Sequence, residues 1–81
     1  MSENIRRQVS EFIAVELNQK ISEEEELFPG GVVNSMLAMR ILAFIEGAFQ
    51  ITVDDDDLDV DNFRSVHSIS AFVARKLSLA A

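Results

Sequence analysis

An all-α fold is what these 81 residues predict. Three observations predict it: apolar residues recur at three- and four-residue intervals in three segments, capping residues stand at the head of these segments, and only one short strand-like run exists, with no second run to pair with it. With 48% hydrophobic and 26% charged residues, the chain lies outside the low-hydrophobicity, high-charge signature of disorder. One domain spanning residues 1–81 is expected, with a thin stability margin, because so short a chain buries a smaller share of its surface than a longer one. Cysteine is absent, so neither a disulfide nor a thiolate metal site can supplement the core.

In the first segment Ile5, Val9, Phe12, Ile13 and Leu17 form one stripe, which predicts a helix over about residues 3–18 with Ser2 as N-cap and Glu3 in its first turn. From Asn18 to Asn34 the pattern breaks. A charged run leads into Leu27-Phe28-Pro29-Gly30-Gly31, whose proline and glycines disfavour a continuing helix. So long a connection needs pinning, and Leu27, Phe28, Val32 and Val33 are the residues expected to pin it.

A second helix follows Asn34-Ser35, both good capping residues, and runs to Phe49. Apolar residues nearly encircle it; Met39, Leu42, Ile45 and Phe49 are the expected core stripe. Ile51-Thr52-Val53 reads as an extended linker, and the aspartates from Asp54 to Asp57 should cap a short turn near Val60 to Phe63. The last helix starts after Ser65, with Val66, Ile69, Phe72, Val73 and Leu77 on one face and Arg75 and Lys76 towards its carboxyl end. Three main helices, one short one and a long first loop result.

Fourteen acidic against seven basic residues give a net charge of −7, which argues against nucleic acid and favours basic protein surfaces as partners. No apolar run has the length of a membrane span and the amino terminus lacks a signal peptide's apolar stretch, so a cytoplasmic location is expected. Asp55 to Asp59 resembles the opening of a calcium loop, but the glycine and glutamate such a loop requires are missing from both registers, and no metal site is expected. His67 has only its neighbour Ser68 as a hydroxyl companion, and adjacent helical side chains diverge by about 100°. Gly30-Gly31 has no preceding strand and no following lysine, so it reads as a turn and not as a phosphate cradle. No catalytic group emerges. Ser35 stands out instead: on residue physics alone it is a helix cap, yet a serine after a Gly-Gly turn is also placed where another enzyme can reach its hydroxyl.

Gly31-Val32-Val33-Asn34-Ser35-Met36-Leu37 resembles the modification motif of acyl and peptidyl carrier proteins, commonly Gly-x-x-Asp-Ser-Leu. Phe49, Val53 and the stretch from Asp57 to Val66 continue the resemblance in register, so that it covers roughly Ile5 to Leu77. It implies a four-helix bundle of carrier type, non-catalytic and monomeric, with 4'-phosphopantetheine joined to Ser35. A phosphopantetheinyl transferase would take that group from coenzyme A. It also implies an acyl- or aminoacyl-loading enzyme and a downstream synthase or acyltransferase as partners. They would dock on the second helix and the loop before it, through Asn34, Met36, Leu37, Arg40 and Phe44.

Two departures bear on the subgroup. Asn34 replaces the usual aspartate and Met36 the usual leucine, which leaves a cap and an apolar side chain in place but removes a charge. Arg40 reverses the acidic face that fatty-acid carriers show, so a surface of Leu37, Ala38, Ala43 and Phe44 should bind more by apolar burial than by steering. The pattern is similar to that of discrete carriers for unusual polyketide extender units, such as hydroxymalonyl or methoxymalonyl groups, in polyketide or antibiotic biosynthesis. The alternatives are an aminoacyl carrier, including the D-alanyl carrier of cell-wall modification, and an unmodified acidic helical interaction module.

Overall fold

The structure, a computed structural model, describes residues 3–80, and side chains as far as residue 78. Ser2, the expected first N-cap, lies outside these residues. Four α-helices form: α1 (Glu3–Leu17), α2 (Ser35–Phe49), α3 (Val60–Phe63) and α4 (Val66–Ala80). No strand occurs among the described residues, and Ile51 to Val53 is extended linker as expected.

Helix α4 is the hub. Ser65 Oγ accepts a hydrogen bond from the Ser68 amide at 3.1 Å and so caps it, as its position before the apolar run predicts. Val66, Ile69, Phe72 and Val73 are buried from its first turn onward, and α1 makes its most extensive contact with this face. From α1 come Ile5, Val9 and Ile13, spaced four apart and therefore on one side of the helix. Asn18 then ends α1 with a positive φ of 55°, a left-handed conformation that asparagine tolerates better than most residues. Phe63 of α3 tilts against Phe72 with ring centroids 5.3 Å apart.

The core stripe of α2 differs from the expected one. Leu37, Ile41 and Ile45 are buried, whereas Met39 is 69% exposed. Because α2 is apolar on nearly every side, its period alone does not select a face; the neighbours do. Phe44 turns towards α1 and stacks on Phe12 at 4.2 Å, which fixes the rotation of α2 and directs the row at 37, 41 and 45 inward.

The long loop is pinned, though by fewer side chains than its sequence suggests. Leu27 and Phe28 are buried, while Val32 and Val33 are 76% and 47% exposed. Backbone bonds complete the anchorage: the Leu27 amide donates to the Arg64 carbonyl at 2.7 Å and the His67 amide to the Glu23 carbonyl at 2.9 Å. Beyond them a 3-10 turn at Pro29–Gly31 reverses the chain, with Gly30 and Gly31 both at positive φ (69° and 75°). That reversal leads the chain back to the surface, which is why Val32 and Val33 face outward.

The aspartates serve as caps, but the run from Asp54 to Asp57 closes a turn of its own and does not cap Val60–Phe63 as expected. Asp54 and Asp57 close a capping box around a 3-10 turn at Asp55–Asp57, and Asp59 caps α3 by accepting from the Asp61 amide. Lys76 Nζ reaches back from α4 to Asp57 at 2.8 Å and Asp54 at 3.1 Å. Its hydrogen bond, first among several causes, holds the Asp57 carboxyl below the ordinary value of 3.8. The same bond raises Lys76 above 10.5. A depressed carboxylate stabilises the fold fully above its unfolded pKa, and that contribution is lost as pH falls through the folded value. In acid titrations monitored by circular dichroism, Lys76→Met should therefore lose less stability than wild type below about pH 4.

Ser70 Oγ is fully buried in α4 with no hydrogen-bond partner among the described residues. Burying an unpaired hydroxyl is unfavourable by ~1 kcal/mol or more. Ser70→Ala should raise the urea midpoint, with a gain of about 1 kcal/mol at unchanged m-value; a drop in midpoint would contradict this account.

Candidate functional site

The loop delivers the chain to the head of α2, and there two adjacent polar residues divide their work. Asn34 takes an extended conformation (φ −80°, ψ 104°), and its Oδ1 accepts from the Leu37 amide at 3.1 Å. Its carbonyl accepts from the Ala38 amide at 2.9 Å, closing the first turn. Asn34 alone is therefore the cap, and Ser35 is the first helical residue. This corrects the expectation that Ser35 shares the capping role. Its side chain is exposed, and its hydroxyl makes no hydrogen bond to any described residue.

Around Ser35 the exposed apolar residues are Val32, Val33, Met36 (66% exposed), Met39 and Leu58. Two residues expected at a docking surface lie elsewhere: Leu37 is only 8% exposed and faces the core, and Phe44 is half-buried between Phe12 and Phe49. Asn34, Met36 and Arg40 are at the surface as expected. Sequence reasoning placed Met39 in the core stripe, although Met36 and Met39 at i and i+3 share a helix face. It passed over Leu58, whose signal is a lone leucine within an aspartate run.

Two hollows flank the site. One, of about 140 Å³, is almost wholly apolar and lies between the loop, α2 and α3, lined chiefly by Phe28, Val33, Ala38, Leu42, Leu58 and Phe63. The other is an open groove of about 350 Å³ between the end of α1 and the start of α2, lined by Glu16, Leu17, Asn34, Met36, Leu37 and Arg40. Across it Arg40 Nη1 faces Glu16 Oε1 at 3.4 Å.

The remaining candidates are occupied structurally. His67 is exposed, with Nδ1 3.8 Å from Glu24 Oε1, while Ser68 Oγ accepts from Ser65 Oγ at 3.2 Å. His67 and Ser68 are thus not a catalytic couple. Among the described residues no three acidic or histidine side chains converge on a metal-sized site.

An exposed, unbonded hydroxyl at the amino end of a 15-residue helix suits a covalent phosphodiester, because the helix dipole favours an anion there. These features are those of a small helical bundle with an exposed serine at the head of its second helix. The chain belongs to the phosphopantetheine attachment site family, whose model matches residues 3–73. Membership implies a covalently attached 4'-phosphopantetheine; carrier proteins as a class are non-catalytic and are served by phosphopantetheinyl transferases and loading enzymes.

Among curated proteins, the chain is similar to the D-alanyl carrier proteins of Lactococcus lactis subsp. cremoris strains MG1363 and SK11 and of Lactococcus lactis subsp. lactis strain IL1403, each 31% identical over 51 residues. The match covers 63% of this chain and 65% of those relatives, just under two-thirds of their length. No solved structure matches significantly.

The division of work at the helix head has a direct test. Asn34→Ala should cost about 1 kcal/mol in urea unfolding and Asn34→Asp almost nothing, while Ser35→Ala leaves stability within ~0.5 kcal/mol of wild type.

Proposed function

We propose that Ser35 is the attachment residue and that the chain carries acyl units for polyketide or related secondary-metabolite assembly. The observation behind the first half is the free, exposed hydroxyl at the start of α2, left unbonded by the Asn34 cap. A transferase would join Ser35 Oγ to the phosphorus that bears coenzyme A's pantetheine, breaking the pyrophosphate bond so that adenosine 3',5'-bisphosphate leaves and the serine proton passes to a base of the transferase, which also holds the magnesium. When bound, the arm supplies a terminal thiol that holds cargo as a thioester. The chain's own part is to hold the serine at a rigid helix end and to offer partners a surface.

That surface is the outward side of α2 with the loop before it: Asn34, Met36 and Arg40 from the expected set, joined by Val33, Met39 and Leu58. Methionine side chains adapt to differently shaped partners, and modest apolar contacts keep each complex short-lived enough for the next enzyme to bind. Leu37 supports it from beneath, while Phe44 holds α2 to α1 through Phe12.

Likeness to D-alanyl carrier proteins favours a second reading, in which the cargo is an amino acid. Intact-mass spectrometry after incubation with coenzyme A, magnesium and a promiscuous transferase tests the attachment. Wild type should gain one phosphopantetheine and Ser35→Ala none; an unmodified wild type would leave the acidic interaction module as the better reading. Charging of the modified chain by a D-alanine-activating ligase, with no charging by acyl-loading enzymes, would move the cargo to the aminoacyl class.

A further inference from the structure

The groove beside Ser35 holds a cation that the fold does not fully use. Asn34 and Met36, the chain neighbours of Ser35, both line it, so an arm attached at Ser35 begins at its rim. Arg40 stands on the same helix, about 7.5 Å further along the axis at 1.5 Å per residue. Its side chain is 59% exposed and meets Glu16 through Nη1 alone, at 3.4 Å, a long contact. Nε and Nη2 have no partner among the described residues. The other cations near α3 and α4 are engaged: Arg64 with Glu26 and Asp61, Lys76 with Asp54 and Asp57, and Arg75 with Asn62.

Glu16, on the opposite wall, is only 19% exposed, and its carboxylate already faces Arg40. The groove therefore offers solvent hydrogen-bond donors and positive charge, with its acid set back. A cargo ammonium entering it would meet Arg40 first and be repelled. A cargo carboxylate would find two free donors in the planar fork that suits it.

We propose that this groove is a resting site for cargo that carries a free carboxylate, held by Arg40 Nε and Nη2. This rests on Ser35 being the attachment residue, and it selects dicarboxylic acyl units over aminoacyl ones. An exposed guanidinium–carboxylate pair is worth little between free molecules. Here the arm tethers the carboxylate, and the resulting effective concentration, on the order of millimolar, lets a weak pair form part of the time. A loading or transfer enzyme can then draw the cargo out at small cost.

The test follows the Arg40 side-chain Nε–H signal by NMR in uniformly labelled chain, with the full sequence and the arm in place. Intact mass establishes one arm per chain before any spectrum is recorded; a chain that takes up no arm overturns the Ser35 reading and this one with it. Three forms are compared: the free thiol, the acetyl thioester and the malonyl thioester. Malonyl alone should shift the Arg40 signal and slow its exchange with solvent, and the shift should persist in Glu16→Gln; in Arg40→Gln the malonyl-against-acetyl differences at the Met36 and Leu37 backbone amides should vanish. Identical signals for acetyl and malonyl forms would overturn the proposal. So would a full shift already present with the free thiol, which would make the phosphodiester of the arm the bound anion.

Discussion

One hydrogen bond organises the head of α2: the Asn34 carboxamide accepting from the Leu37 amide. A helix start leaves several amides without partners, and a neighbouring serine commonly turns inward to satisfy one. With Asn34 already in place, Ser35 has no such duty, and its oxygen stays in solvent. The bond also fixes the angle at which the loop enters the helix, so the serine is presented by a rigid end.

That presentation depends on the loop being held at its far side. Leu27 and Phe28 are buried, and the Arg64 carbonyl and the His67 amide tie the backbone to the α3–α4 junction. Between this anchorage and Asn34 the two glycines at positive φ let the chain reverse. The exposed valines and methionines around Ser35 are a consequence of the reversal. Apolar side chains kept in water here are unfavourable for folding but available to partners. The acidic residues meanwhile cluster at the loop and the α2–α3 linker, several of them engaged as caps or by Arg64 and Lys76, so the net charge of −7 is not spread evenly over the docking side.

Much of the fold was legible in the residues. The stripes Ile5-Val9-Ile13 and Val66-Ile69-Phe72-Val73 each have a polar opposite face, and a period of three to four then specifies which side is buried. The Asn34-Ser35 pair and Ser65 announce their helix starts because few residue types can accept from an exposed amide, whereas at α3 the cap is Asp59 and not the expected run from Asp54 to Asp57. Helix α2 was misread for the converse reason: with apolar residues all round, its sequence holds no contrast from which to read a face. Its rotation came from Phe12 meeting Phe44 and from the buried Phe28, contacts between residues far apart in the chain.

By itself, then, the sequence determined the helices, their order, the break at Pro29-Gly30-Gly31 and the serine at the head of an apolar helix, since these follow from local period, capping chemistry and backbone freedom. Only the tertiary structure decided which side of α2 faces water and that Arg40 looks across a groove at Glu16. Those outcomes depend on how separate helices pack, and no run of neighbouring residues encodes a distance between α1 and α2.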